Sequence, residues 1–201
     1  MEEKKMIYRY RKIKVSCKDC PERFYRVFSV REDLNLKQVG ALIIAYFQGA
    51  FEHMWEWRSK KHRYIDKTWL EEFPQKGNGD YALYMLSTCE LNAASEINFE
   101  YDTGDGWEFT VKVYPDVEDH DFKADISPKA SIPWGILTEG KGESIWEDNR
   151  GLFNLFIEKG KLPKTYGTPW WGNPKTFDDP LDIAKLDKAG NTEAKKIMKR
   201  L

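Results

Sequence analysis

The sequence predicts an α+β fold, in which strands and helices form separate runs and do not alternate regularly. Aromatic and β-branched residues alternate with period two near the start of the chain and again across residues 97–113. Between these segments, apolar residues recur at helical spacing over residues 36–47. The 201 residues are 41% hydrophobic and 14% aromatic, which is enough to build one sizeable core.

The first elements are a predicted hairpin and a predicted helix. The stretches MIYRYRKIKV and RFYRVFSV have strand periodicity and flank the polar segment SCKDCPE. The following stretch, LNLKQVGALIIAYFQG, has the spacing of a helix. We expect Asn35 to be its N-cap and Gly49 to mark its end.

Several short elements are predicted next. HMWEWR and HRYID predict two strands around the basic turn SKK, and KTWLEEFP predicts a single helical turn closed by Pro74. YALYM predicts a further strand. Ser87 and Glu90 have the spacing of a capping box, so TCELNAA predicts a short helix.

The segment EYDTGDGWEFTVKV predicts a second hairpin. Apolar side chains occupy alternate positions from Ile97 to Tyr101 and again from Trp107 to Val113. The five residues DTGDG between them are typical of a hairpin loop with glycine at positive φ. We expect Asp102 and Asp105 to accept hydrogen bonds from N–H groups of this loop, the alternative being a role in an acidic cation site.

The remainder of the chain predicts less regular structure. PDVEDHDFKAD predicts an acidic mobile loop, and IPWGILTEGKGES an irregular stretch. WEDNRGLFNLFIEKG predicts a helix capped by Glu147 and Asp148, because acidic side chains are favoured at a helix N-terminus. We therefore expect one core domain over residues 1–160, followed by a Pro-, Gly- and Trp-rich arm over residues 161–201 that ends in short helices packed on the sheet.

Charge is distributed unevenly although the formal net charge is only −1. Residues 1–31 contain ten Lys/Arg against four Asp/Glu, whereas residues 90–125 contain two Lys against eleven Asp/Glu. We interpret the two segments as oppositely charged faces that keep the protein soluble. No secretory signal or membrane-length apolar run is visible, and the three cysteines fit a reducing compartment, so we expect a cytoplasmic protein without membrane contact.

No sequence motif identifies an enzyme. CKDC, at residues 17–20, has the spacing of half a zinc site, but no second C-x-x-C accompanies it. GILTEGKG resembles a phosphate-binding loop but has Gly142 where the Mg²⁺-binding hydroxyl is needed. We expect His53 to be a satisfied structural histidine. The sequence therefore predicts no cofactor and no metal.

Taken in order, several blocks resemble the plasmid pRiA4b ORF-3-like family, whose members also occur as passengers of mobile elements. The family signature Y-D-F-G-D-x-W-E-H is similar to YDTGDGWEF at residues 101–109, and the family W-R-R is similar to Tyr25-Arg26-Val27. The family H-L-x-x-F is similar to His53, Met54 and Trp57, and its later loop is similar to residues 140–151. Phe109, Ser144 and Arg150 stand where the family has His, often Cys, and Gly.

The resemblance implies a strand–strand–helix–strand start similar to a β-grasp, and no particular activity. Three functions stay open: a binding or interaction module, a divalent-metal-assisted hydrolase that acts on a phosphodiester or similar substrate, and a nucleic-acid-binding protein that uses the basic first hairpin. In the hydrolase, Asp102, Asp105, Glu147 and Asp148 would hold the ion and His53 would act as a base. The partner is thus an unidentified ligand, a protein or a nucleic acid. The residues expected to line a binding groove are Arg26, His53, Asp102, Asp105, Trp107, Glu147 and Asp148.

Overall fold

The computed structural model describes residues 5–72, 74, 77–85, 96–123, 132–162 and 174–200. Its elements in chain order are β1 (Lys5–Cys17), β2 (Tyr25–Arg31), α1 (Leu36–Tyr46), β3 (Trp55–Arg58), β4 (Arg63–Ile65), α2 (Lys67–Glu72), β5 (Asn78–Asp80), β6 (Glu96–Tyr101), β7 (Trp107–Lys123), β8 (Gly135–Lys141), α3 (Arg150–Lys159) and α4 (Ile183–Ile197). The strands form one sheet in the order β5-β4-β3-β6-β7-β1-β2-β8. Only the β4–β5 pair in this sheet is parallel. The predicted α+β class is confirmed.

The predicted first hairpin and first helix are confirmed as β1, β2 and α1. Asn35 caps α1 through a reciprocal pair of bonds: its Oδ1 accepts from the Gln38 N–H at 2.9 Å, and the Gln38 side chain accepts from the Asn35 N–H at 3.0 Å. The end of the helix differs from the prediction, because the left-handed residue is Gln48, with φ 55°, and not Gly49. α1 is buried along most of its length and packs on the sheet.

Residues 115–123 of the acidic stretch predicted as a mobile loop form the second half of β7, and the last two residues of that stretch lie outside the described residues. This half of β7 pairs with the basic first half of β1 in antiparallel register, so that Asp119 faces Arg9 and Val117 faces Arg11. The interpretation of two oppositely charged faces is therefore wrong, because these charges lie on neighbouring strands of one sheet. Arg9 and Asp119 are the one oppositely charged pair directly across the described part of this register, and their exposed ion pair contributes little stability, so the strand depends on its pairing with β1.

Other boundaries also differ from the predictions. The Gly-rich stretch predicted as irregular contains the edge strand β8. YALYM is not a strand: residues 81–83 form a turn, and Met85 makes one isolated bridge to Asn35. The helix predicted for TCELNAA, and Trp170 and Trp171 in the arm, lie outside the described residues. The C-x-x-C cysteines, Cys17 and Cys20, are buried and free.

Helix α4 covers the outer edge of β8. The Asp187 carboxylate accepts from the Leu137 N–H at 2.8 Å, and the Asn191 side-chain oxygen accepts from the Trp134 N–H at 2.6 Å. These bonds satisfy edge N–H groups that would otherwise be open to pairing with another chain. Within the described residues 174–200, one long helix docks on the sheet where short helices were predicted, and a domain boundary at residue 160 stays a prediction.

A cluster of aromatic rings fills the core between α3 and the sheet. Trp107 and Phe153 have ring centroids 4.9 Å apart, and Phe153 is 5.4 Å from Phe177 and 5.5 Å from Trp146. Such edge-to-face contacts add to the free energy gained by burying the rings. Among the described residues, no helix is long and apolar enough to cross a membrane.

Candidate functional site

Three loops meet at one end of the sheet: the α1–β3 loop (residues 47–54), the β6–β7 turn (residues 102–106) and the β8–α3 loop (residues 142–149). Backbone hydrogen bonds join the α1–β3 loop to each of the others. The Ile145 N–H donates to the Phe47 carbonyl at 2.9 Å, and the Asp102 N–H donates to the Met54 carbonyl at 2.9 Å. Side chains far apart in the sequence are thereby held close together.

These three loops contain all the non-glycine residues with positive φ in the described part of the chain. They are Gln48, Phe51, Asp102 and Asp148, with φ between 54° and 61°. Aspartate tolerates this left-handed conformation, but for a bulky residue such as Phe51 it is strained. Strain of this kind persists where the surrounding structure enforces it, and it clusters at functional sites.

Asp102 has a structural role that the sequence predicted and a second feature that it did not. Its Oδ1 accepts from the Gly104 and Asp105 N–H groups, each at 3.2 Å, which confirms that Asp102 shapes the turn. Its other oxygen, Oδ2, is buried without a hydrogen-bond partner, and the side chain is only 5% exposed. A buried, unpartnered carboxylate oxygen destabilises a folded protein unless something positive lies beside it.

Asp105 caps helix α3 and does not accept from the N–H groups of its own loop, so the prediction for Asp105 is wrong. The capping role was predicted for Glu147 and Asp148. The Asp105 Oδ2 accepts from the Arg150 N–H at 3.0 Å, and its backbone carbonyl accepts from the Arg150 guanidinium at 3.2 Å. Asn149 is the N-cap residue but makes no side-chain capping bond. The predicted caps are therefore wrong, and the two acids after Trp146 face other partners.

Glu147 is buried and firmly positioned. Its Oε1 accepts from the Ala50 N–H at 2.6 Å and from the Tyr101 hydroxyl at 3.0 Å. Burial raises the pKa of Glu147, and the Ala50 N–H, the Tyr101 hydroxyl and the nearby imidazole of His53 oppose that rise. The carboxylate is therefore fixed in one orientation in a place where its negative charge is poorly solvated.

His53 lies among three carboxylates. Its Nδ1 is 3.5 Å from Asp102 Oδ1, and its Nε2 is 3.7 Å from Glu147 Oε2 and 3.3 Å from Asp148 Oδ1. Nε2 is buried and has no hydrogen-bond partner, so the prediction of a satisfied structural histidine is wrong. One ligand atom each from His53, Asp102 and Glu147 lie within 4.8 Å of one another, which is a grouping able to hold a metal ion.

A shallow cleft of about 400 Å³ opens beside this trio. The side chains of Glu52, Asp105 and the exposed Asp148 lie around it. The complete lining is Glu52, His53, Met54, Asp102, Thr103, Gly104, Asp105 and Asp148. A ligand in this cleft would contact both the trio and the acidic residues at its mouth.

Arg26 and Trp107, two of the expected groove residues, lie in the interior. Arg26 is fully buried and its guanidinium donates to five backbone carbonyls, those of Tyr25, Tyr46, Lys141, Gly142 and Glu143. Trp107 is fully buried within the aromatic core beneath the site. Of the seven expected residues, the structure brings together His53, Asp102, Glu147 and Asp148, with Asp105 beside them.

The sequence did not indicate two residues that matter for the geometry. Tyr101 holds Glu147 through its hydroxyl, and Glu52 lies at the mouth of the cleft. The inward position of Tyr101 was visible in the strand alternation, but its pairing with a residue 46 positions later was not. No motif or periodicity in the sequence pointed to Glu52.

Comparison with known proteins places the fold without assigning an activity. Residues 9–164 match the family model described as plasmid pRiA4b ORF-3-like protein. A solved structure described as a protein of unknown function, MM3350 from Methanosarcina mazei Go1, superposes with a TM-score of 0.62 at 16% identity. The similarity covers 90% of this chain and 98% of that one, and at such low identity it supports the fold alone. No curated protein matches the sequence.

Proposed function

Since the chain belongs to the plasmid pRiA4b ORF-3-like family, whose name specifies no reaction, we propose its function from the site: it is a metal-binding protein. Its proposed ligands are His53, Asp102 and Glu147, which bind one divalent ion. The sequence predicted no metal, and this proposal replaces that expectation. A shared fold does not by itself determine function, so the proposal depends on the geometry of these three side chains.

The observation that carries the proposal is the buried Asp102 oxygen without a partner, beside a second buried carboxylate and an imidazole nitrogen that also lacks one. A divalent ion would neutralise the two carboxylates and use the lone pairs that no donor satisfies. Buried charges in proteins are paired with an opposite charge or coordinate a metal ion.

A proton on His53 is the main alternative to a metal ion. The three nitrogen–oxygen distances, 3.3 to 3.7 Å, exceed the usual 2.7–3.2 Å of an N–H···O hydrogen bond. Two ligands each about 2.0–2.1 Å from a tetrahedral ion lie roughly 3.3–3.5 Å apart. An ion would be bound by one ring nitrogen of His53 only, and one ligand atom from each of the three residues lies within 4.8 Å of the others. Small side-chain movements would therefore bring the three ligand atoms to the separation that an ion requires.

The ligand types favour a particular class of ion. One imidazole and two carboxylates suit Zn²⁺, Mn²⁺ or Fe²⁺, whereas Mg²⁺ and Ca²⁺ prefer oxygen ligands throughout. Three protein ligands leave a coordination position open, as in catalytic and not in structural zinc sites. Metal-assisted hydrolysis is accordingly the reaction class that we propose, with Asp148 placed to accept a proton from a water molecule on the ion.

The nucleic-acid alternative has less support. Arg11 donates to Glu32 at 2.8 Å, and Arg9 lies 3.5 Å from the same carboxylate, so both are already paired. Lys12 and Lys14 lie over the rings of Tyr114 and Tyr25. The basic residues of the first hairpin thus have partners within the protein instead of forming one open cationic face.

Isothermal titration of chelator-treated protein with Zn²⁺ and Mn²⁺ tests the proposal. We expect one ion per chain, and an affinity that falls by about 100-fold or more in Asp102→Asn. Asparagine keeps an acceptor for the turn and tolerates positive φ, so this variant removes the charge without removing the loop geometry. Asp119→Asn, an exposed change on β7, is the matched control and should bind as the wild type does. Equal binding by Asp102→Asn, or no binding at millimolar ion, contradicts the proposal.

A further inference from the structure

The cleft beside the proposed metal centre is strongly acidic. Glu52, Asp105 and Asp148 line it together with Asp102, and Glu147 lies behind them. These five carboxylates outnumber the two positive charges that a divalent ion would bring. Among the described residues, no lysine or arginine lines the cleft.

The Arg150 guanidinium is a cation near the cleft, but it pairs with Asp19 and not with the carboxylates of the cleft. Its Nη2 lies 2.8 Å from Asp19 Oδ2, and its Nε lies 3.2 Å from the same oxygen. Its remaining contact is with the backbone carbonyl of Asp105. The acidic residues at the mouth of the cleft are therefore not neutralised by this guanidinium.

We propose that the site takes a ligand with a positively charged group, such as an ammonium, beside the group that reaches the metal. This inference rests on the proposed metal centre. Clefts lined by one sign of charge concentrate ligands of the opposite sign and exclude those of the same sign. An anionic phosphodiester, considered from the sequence, would meet the carboxylates of Glu52 and Asp148 before it reached the ion.

Glu52 and Asp148 are the residues that we assign to this selection. Asp148 has a side chain that is 69% exposed, yet its Oδ1 is only 3.3 Å from His53 Nε2, so it would face a ligand bound to the ion. Glu52 precedes His53 in the α1–β3 loop and is exposed at the same mouth. Asp102 also lines the cleft, and its buried oxygen without a partner is the observation that places the proposed ion at the inner end of the cleft.

Three hydroxamates that differ only in the charge of the tail provide the test. Hydroxamates bind metal ions through two oxygens, so 6-aminohexanohydroxamate, hexanohydroxamate and the monohydroxamate of adipic acid present the same group with a cationic, neutral or anionic tail. Their affinities for the protein saturated with Zn²⁺ are measured by titration calorimetry. We expect the cationic probe to bind about fivefold more tightly than the neutral one, and the anionic probe more weakly still.

Variants identify the residues responsible. In the double variant Glu52→Gln, Asp148→Asn the preference for the cationic probe should fall to about twofold or less. Asparagine at position 148 keeps the left-handed backbone conformation. Glu158→Gln, an exposed change on α3, should leave the preference unaltered.

The outcomes separate this inference from the metal proposal. Equal binding of all three probes, or tightest binding of the anionic probe, overturns the inference while the metal proposal stands. A preference for the cationic probe that survives in the double variant also overturns it, because the assigned residues would then not cause it. If Zn²⁺ itself fails to bind, both proposals fall.

Discussion

The two carboxylate oxygens of Asp102 lie in different environments. Its Oδ1 organises the β6–β7 turn by accepting two N–H groups, and its Oδ2 lies buried without a partner beside the candidate ligands. A turn residue needs only the first oxygen, so the second one indicates more than a structural role. The left-handed conformation of Asp102 directs both oxygens, because it fixes where the side chain leaves the backbone.

The substitution Glu147→Gln distinguishes the loss of stability caused by burying this carboxylate from its contribution to metal binding. Burial raises the pKa of Glu147 in the folded protein above the ordinary value of 4.5. The unfolded chain therefore ionises first, and the metal-free protein loses stability as the pH rises through the raised value. Glutamine can still accept from the Ala50 N–H, so we expect the metal-free variant to be at least as stable as the wild type at pH 7 and to bind metal about 100-fold more weakly.

Thermal unfolding at pH 4 to 8, with and without Zn²⁺, measures both effects. The wild type should gain stability from the ion, and at the same Zn²⁺ concentration Glu147→Gln should gain less, by up to about 2.7 kcal/mol for 100-fold weaker binding. Glu158→Gln, exposed on α3, is the control and should behave as the wild type does. A variant that is destabilised by several degrees at pH 7 yet gains as much stability from Zn²⁺ as the wild type would mark Glu147 as a structural residue only.

The strands and helices that periodicity predicted correctly are those whose apolar residues repeat over a short stretch of sequence. Apolar positions repeat within a few residues in the strands of the two predicted hairpins and in α1 and α3. All of these elements are found in the structure. The second half of β7 has no such signal. It becomes a strand because the first half of β1, more than 100 positions earlier, pairs with it, as at Arg9 and Asp119. Strand formation depends on the partner, which a local pattern does not reveal.

Gly190 tests how closely α4 and α1 pack. A Cβ at this position would lie 2.4 Å from Tyr46 Cδ1, in a ring that is fully buried. Helix propensity alone predicts that Gly190→Ala stabilises the protein by up to about 1 kcal/mol. The clash reverses the sign, and we expect a loss of about 1–3 kcal/mol and a melting temperature lower by roughly 3–8 °C.

Gly151→Ala is the matched control in α3. A Cβ there would meet nothing within 4 Å, so the same substitution should stabilise the protein by about 0.4–1 kcal/mol. Calorimetry of both variants compares them directly. Stabilisation by Gly190→Ala would mean that α4 does not pack against Tyr46 as described.

At the scale of the whole molecule, the site depends on contacts that no single segment specifies. The sequence placed His53, Asp102 and Glu147 among the expected groove residues through the blocks that resemble the family, whereas the residues alone predicted structural roles for them. No local pattern predicts their convergence, since the three lie on separate loops that the folded sheet brings together. The sequence also assigned helix capping to Glu147, because the Asp105 carboxylate that caps α3 comes from 45 residues earlier.

The position of a bound ion is the most direct test. Crystals grown with Mn²⁺ or Zn²⁺ and measured at the absorption edge of the metal locate the ion by its anomalous scattering. We expect one strong peak about 2.0–2.2 Å from a His53 nitrogen and from oxygens of Asp102 and Glu147. A metal peak elsewhere, with these three side chains bonded only to each other through a protonated His53, would contradict the account.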